Sequence, residues 1–209
     1  MASSFGLLLF FVAMLPTMYV THNASEQSVQ ATKENNIKLA RQVIEAFNTG
    51  DVSNVSKFIS PNYINHESRS FGGILNTSNI PNQYRDIIKY RSSLNGPDEF
   101  IDTVKSLRHA FPDIRHEEQA IITQGDMVVS IINVTGTNTG NFFILPPTGN
   151  KINYEAVHIY RIGEDRKIVE HKAIRDDLTY LAQLGVVGPL SPKYQPFFQA
   201  LTGVTNSSR

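Results

Sequence analysis

The 209-residue chain contains no cysteine. That excludes disulfides, thiol nucleophiles and thiolate metal ligands, and leaves a packed core, helped by oligomerisation, to hold the fold. Net charge is missing too: 19 basic side chains stand against 19 acidic ones, with no block of five or more like charges. The electrostatic footprint of a nucleic-acid or anionic-membrane binder is therefore absent. The six histidines include no His-x-His or His-x3-His pair, so no metal site is expected. Residues 146–150, "PPTGN", lack the lysine and strand-to-helix setting of a phosphate loop and read as a turn. No cofactor is implied, and no internal repeat is visible.

What is present begins with an apolar run, Phe5 to Leu15, followed by Pro16 and then polar residues from His22. Residues 1–24 read as a secretory signal processed at about residues 20 to 25, although residues 1–4 carry no lysine or arginine. The alternative is an uncleaved anchor, but Phe5 to Val20 falls short of the ~20 residues that span a bilayer. A secreted protein with no membrane association after signal removal is expected. Asn-x-Ser/Thr sequons occur at Asn23, Asn54, Asn76, Asn133 and Asn206, with Asn54 and Asn76 the expected glycan carriers.

Past a polar linker, 25–35, helical spacing of Ile37, Ala40, Val43, Ile44 and Phe47 predicts a first helix that Gly50 ends. Asp51 is placed to cap a short second helix through about Phe58, with "SPNYINHES" leaving it as a loop. Residues 67–96 form an insertion of lid-like length around a short amphipathic segment at Tyr84 to Arg91. Pro97 and Asp98 open a third helix, which stops at Phe111.

The period then changes to two, predicting strands at 114–124, 126–135, 141–145, 150–162 and 166–175. Asp176 or Asp177 caps a last helix, and residues 186–209 are a tail. Helices first and strands afterwards give an α+β fold, with a curved antiparallel sheet packed on N-terminal helices. Around residue 130 both strand faces are apolar, which predicts a homodimer covering the outer one and an unglycosylated Asn133.

The stretches "ARQVIEAFNTGDVSNVSKFISPNYINHE", "FIDTVKSLRHAFPDIRHE", "GTNTGNFFILPPTGNKINYEAVHIYRI" and "KIVEHKAIRDDLTYLAQLG" together resemble the SnoaL-like polyketide cyclase (ester cyclase) family of the NTF2-like superfamily. The resemblance spans residues 36–185, with the insertion inside. It implies a cone-shaped α+β fold with one apolar pocket. It also implies a cofactor-free intramolecular aldol reaction, in which a base removes a proton α to a carbonyl and a polar partner stabilises the enolate.

Three residues stand out for that chemistry. His158 lies on the apolar face of its strand with Tyr154 and Tyr160. If Ile162 pairs with Lys167, His158 faces His171; a one-residue slip sets it against Glu170 or Lys172. Either histidine can instead be a hydrogen-bonded core or interface residue, the reading preferred for His171. Asp176 is either an acid/base at the end of the hairpin or the helix cap. In the family the residues after "EH" often run Trp-Asp, the aspartate being the acid/base; here they are Lys172-Ala173.

His66 matches a family histidine and, with Tyr63, is a candidate for the pocket mouth. Tyr154, Tyr160 and Phe111 complete the expected small-apolar-ligand contacts. His109 and His116 read as exposed or edge-facing. Three functions remain open: a secreted cyclase- or isomerase-type enzyme, a non-catalytic small-molecule binder, and a structural dimer without an open pocket.

Overall fold

The computed structural model describes residues 6–67, 89–91, 93–142 and 145–185, with side chains from Glu26 onward. Helix α1 runs Gly6–Thr49, through the stretch expected to be a linker. Leu39, Ala40, Val43, Ala46 and Phe47 are its buried stripe, and Gly50 ends it at φ +75° with its N–H on the Ala46 carbonyl. That positive φ favours glycine, and a Cβ there would meet Arg108 Cδ at 2.8 Å, so the arginine side chain would have to shift.

The expected second helix shrinks to a 3-10 turn, Val55–Lys57. The expected loop after it is strand β1, Ile59–Asn65. Helix α2, Gly96–Ala110, has Pro97 in its first turn and ends at Phe111, whose N–H makes the last helical bond, to the Leu107 carbonyl, ahead of Pro112. Strands β2 (Arg115–Gln124), β3 (Met127–Thr137), β4 (Lys151–Ile162) and β5 (Ile168–Arg175) lead into helix α3, Asp177–Gln183. The strand expected at 141–145 reduces to an isolated Phe142–Leu145 bridge.

One five-stranded sheet has the order β1-β5-β4-β3-β2. It is antiparallel except for β1, which pairs in parallel with β5 at the edge. The expected β4–β5 register is corrected. Ile162 pairs with Ile168, and a bulge before Arg161–Glu170 then sets Tyr160 opposite His171 and His158 opposite Ala173. The turn and the bulge each add one residue. Their sum is two, so the period-two rule returns His171 to the face expected of it.

That inner face alternates along β3 and β4, burying Val128, Ser130, Ile132 and Val134, and Ile152, Ala156, His158, Tyr160 and Ile162. Among the described residues the buried apolar side chains form two clusters. One gathers Phe47, Phe58, Tyr63, Phe100, Val128 and Tyr160 with their neighbours. The other gathers Phe111, Ile132, Phe142, Ile152, Ala156 and Tyr180. Between them a polar belt crosses the sheet: Asn65 on β1, His171 on β5, His158 on β4 and Ser130 on β3, all buried.

The insertion lies largely outside the described residues, with Asn76 and most of the expected segment at Tyr84 to Arg91, and so does the tail from 186. Asn54 is exposed. Among the described residues no helix is long and apolar enough to cross a membrane.

Candidate active site

From Asn65 to His158 the belt is a hydrogen-bonded chain whose protons can be assigned. The Glu67 backbone N–H donates to Asn65 Oδ1 at 3.1 Å, which identifies that atom as the amide oxygen. His171 Nδ1 lies 3.0 Å from the same oxygen and must therefore carry a proton. In a neutral ring His171 Nε2 is then bare and accepts from His158 Nδ1 at 2.8 Å. The remaining nitrogen, His158 Nε2, is left with its lone pair. Asn65 thus fixes, through two rings, which nitrogen of His158 is basic.

Burial keeps these rings neutral. It depresses His158 well below the ordinary imidazole range, with His171, His116 and Arg175 adding to the effect. It lowers His171 to about 3, helped by Arg175 and His66, and His116 to about 4. Tyr160 is sandwiched against both belt histidines, its ring centroid 6.1 Å from His158 and 5.2 Å from His171. Burial raises its hydroxyl and that of Tyr63, so both stay protonated.

Among the described residues one carboxylate reaches the belt. Glu67 Oε2 stands 3.8 Å from His171 Nδ1, and Glu67 is held by Arg175, which also bonds Asp177 at 3.0 Å. Burial raises the Glu67 carboxyl and Arg175 opposes that shift. The negative charge beside Nδ1 favours the tautomer that Asn65 selects.

The other expected residues are dispersed. His66 is at the rim, part-exposed, with Nε2 3.3 Å from Glu170. Tyr63 packs edge-on to Phe100 in the first cluster, with ring centroids 6.4 Å apart. Tyr154 and Phe111 belong to the second cluster, their rings tilted against Tyr180. Asp176 is exposed and accepts the Thr179 N–H at 3.1 Å as the α3 cap.

His116 is a correction: it lies on the edge strand β2, but its side chain is buried, only 6% exposed. Asn48 clamps its backbone through both amide atoms at 2.7 and 3.0 Å, and its ring lies 4.8 Å from Phe47 and 6.4 Å from His158. A β2 bulge after Glu118 changes the strand's parity and hid this from the alternation. His109 is exposed, as expected.

Among the described residues no group of three or more metal-ligating side chains is found. A hollow of about 510 Å3 at the ends of β3 and β4, lined by Asp113, Thr137, Lys151 and Gln183 among others, does not border the histidines.

Residues 80–184 match the family described as SnoaL-like polyketide cyclase. Among curated proteins, the aklanonic acid methyl ester cyclase DauD of Streptomyces sp. (strain C5) is 29% identical over 161 residues, 77% of this chain and 88% of that one. The nogalonic acid methyl ester cyclase of Streptomyces nogalater is 29% identical over 155 residues, 74% of this chain and 100% of that one. Among solved structures, IdmH of Streptomyces antibioticus superposes with a TM-score of 0.51 at 25% identity, covering 72% of this chain and 99% of that one.

Proposed function

The chain belongs to the SnoaL-like polyketide cyclase family, and from that premise we propose that it closes a ring in a small apolar polyketide-type carbonyl compound by cofactor-free proton transfer, with His158 Nε2 as the base. The observation that carries the reading is the Asn65–His171–His158 chain, which leaves a neutral, correctly oriented imidazole lone pair on the inner face of the cone.

In the proposed reaction a C–H bond α to a carbonyl breaks, its proton goes to His158 Nε2, and its electron pair forms the enolate. The enolate carbon attacks a second carbonyl of the same molecule, and the alkoxide formed takes the proton back. Atoms and charge balance without a second substrate. A ring so depressed in basicity is protonated only when negative charge develops beside it, and the enolate supplies that charge. Lys172-Ala173 leaves no aspartate after Glu170-His171, and Ala173 is the residue paired with His158. The histidine chain takes the place of that carboxylate.

The same reading has the chain secreted through its N-terminal apolar run, glycosylated at Asn54 and Asn76, and paired as a dimer through the outer sheet face. The burial of His158 and His171 between two apolar clusters favours a second reading, a structural dimer with a filled cone.

The test is incubation with aklanonic acid methyl ester and nogalonic acid methyl ester, the substrates named for the relatives, in D2O. A product of altered retention, or deuterium entering the α-carbon, is expected. His158→Gln should slow either process by ~10²–10⁴-fold. Wild-type protein that neither exchanges nor binds these compounds supports the filled cone instead.

A further inference from the structure

Among the described residues three buried side-chain polar atoms have no hydrogen-bond partner: Asn36 Oδ1, His116 Nδ1 and Ser130 Oγ. Two of the three flank His158. Ser130 is its cross-strand partner on β3, and the His116 ring sits 6.4 Å from its ring on the β2 side. Ser130 is 1% exposed and His116 6%.

A buried polar atom without a partner destabilises a fold, and an alanine at 130 would avoid that cost. The neighbours on the same face of β3, Val128 and Ile132, are apolar, so a hydroxyl there serves no packing purpose. Nor does His116 lack anchoring that its ring would need to supply: Asn48 holds its backbone and Phe47 its face.

We propose that Ser130 Oγ–H and His116 Nδ1–H together receive one ligand oxygen, a ketone that becomes an enolate, next to the carbon that His158 deprotonates. This rests on the ring-closure reading and supplies the group it leaves unnamed, the donor pair for the developing oxyanion. Both donors are neutral, so they stabilise the oxyanion without a full positive charge that would bind any carboxylate as well. The ligand class follows: an enolisable ketone or phenolic oxygen carried on an apolar ring system, since both apolar clusters border this point.

The probe is 1,8-dihydroxyanthraquinone, titrated into the full chain and followed by its visible absorbance. Ser130→Ala and His116→Phe are each expected to bind it at least tenfold more weakly, and Ser130→Thr, which keeps the hydroxyl, to recover most of the loss. In the same samples Ser130→Ala should melt at the wild-type temperature or higher, because the unpartnered hydroxyl is gone; a structural serine would lower it.

Equal affinity of wild type and Ser130→Ala, a melting temperature that falls in step with affinity, or no binding to wild type overturns the proposal. Ser130-dependent binding without ester turnover keeps the oxygen site and removes the ring-closure reading. Turnover that Ser130→Ala leaves intact removes the oxygen site alone.

Discussion

Mild acid should unfold this protein well before its carboxylates protonate. His116, His158 and His171 are buried and neutral, each held below the ordinary value of 6.5 that it regains on unfolding. A depressed folded value means that the unfolded chain binds more protons, so stability is complete above 6.5 and falls as pH drops below it. The loss continues to about 4 for His116 and about 3 for His171. At pH 5.5 each ring favours the unfolded chain by ~1.4 kcal/mol, and the three together by ~4 kcal/mol.

That is a large share of the ~5–15 kcal/mol available to a domain. Glu67, raised by burial, works in the opposite sense and returns at most one proton's worth. Urea denaturation at pH 7.5, 6.5 and 5.5 measures the slope, and His116→Leu should remove about one third of it. Stability unchanged to within ~1 kcal/mol between pH 7.5 and 5.5 would refute the argument that all three rings are neutral and buried.

Three further outcomes follow from the same structure. Ala173→Asp places a carboxylate opposite His158; the ring titration followed by proton NMR should move up toward neutral pH, and an unmoved titration would show that residue 173 does not face the ring. Asp176→Ala removes the α3 cap and should cost ~1 kcal/mol in thermal or chemical melts, whereas no change would mean the short helix is held by Tyr180 and Leu184 alone. On the outer face Ile122, Val129 and Ile159 form one cross-strand row and Ile131, Val157 and Ile174 another. Ile131→Lys should convert a dimer to a monomer in light scattering, and a wild type that is already monomeric sinks the assembly.

Where period alone decides, the sequence was readable. The buried stripe of α1 around Val43 and Phe47 and the inward residues of β3 and β4 follow from spacing, and the stop of α2 at Phe111 from the proline after it. β1 was not readable, because Ser60-Pro61-Asn62 has turn chemistry; it becomes a strand only at the sheet edge, where proline is tolerated. The His158–His171 meeting was legible, but its geometry was not, since a bulge and a longer turn cancelled in parity. His116 was hidden by a second bulge. Asn65, Glu67, Ser130 and Arg175 join the site through contacts far apart in sequence, for which no local pattern exists.

The belt also divides the molecule mechanically. Its two apolar clusters share the strands but take their buried helical residues from different segments, one from α1 and the first half of α2, the other from the end of α2 and α3. Polar rings joined edge to edge transmit less packing stiffness than interlocked aliphatic chains, so the belt is a seam along which the halves can shear. An aromatic ligand seated across it would act as a dowel, tying the halves into one cooperative unit and making the loaded protein stiffer than the empty one.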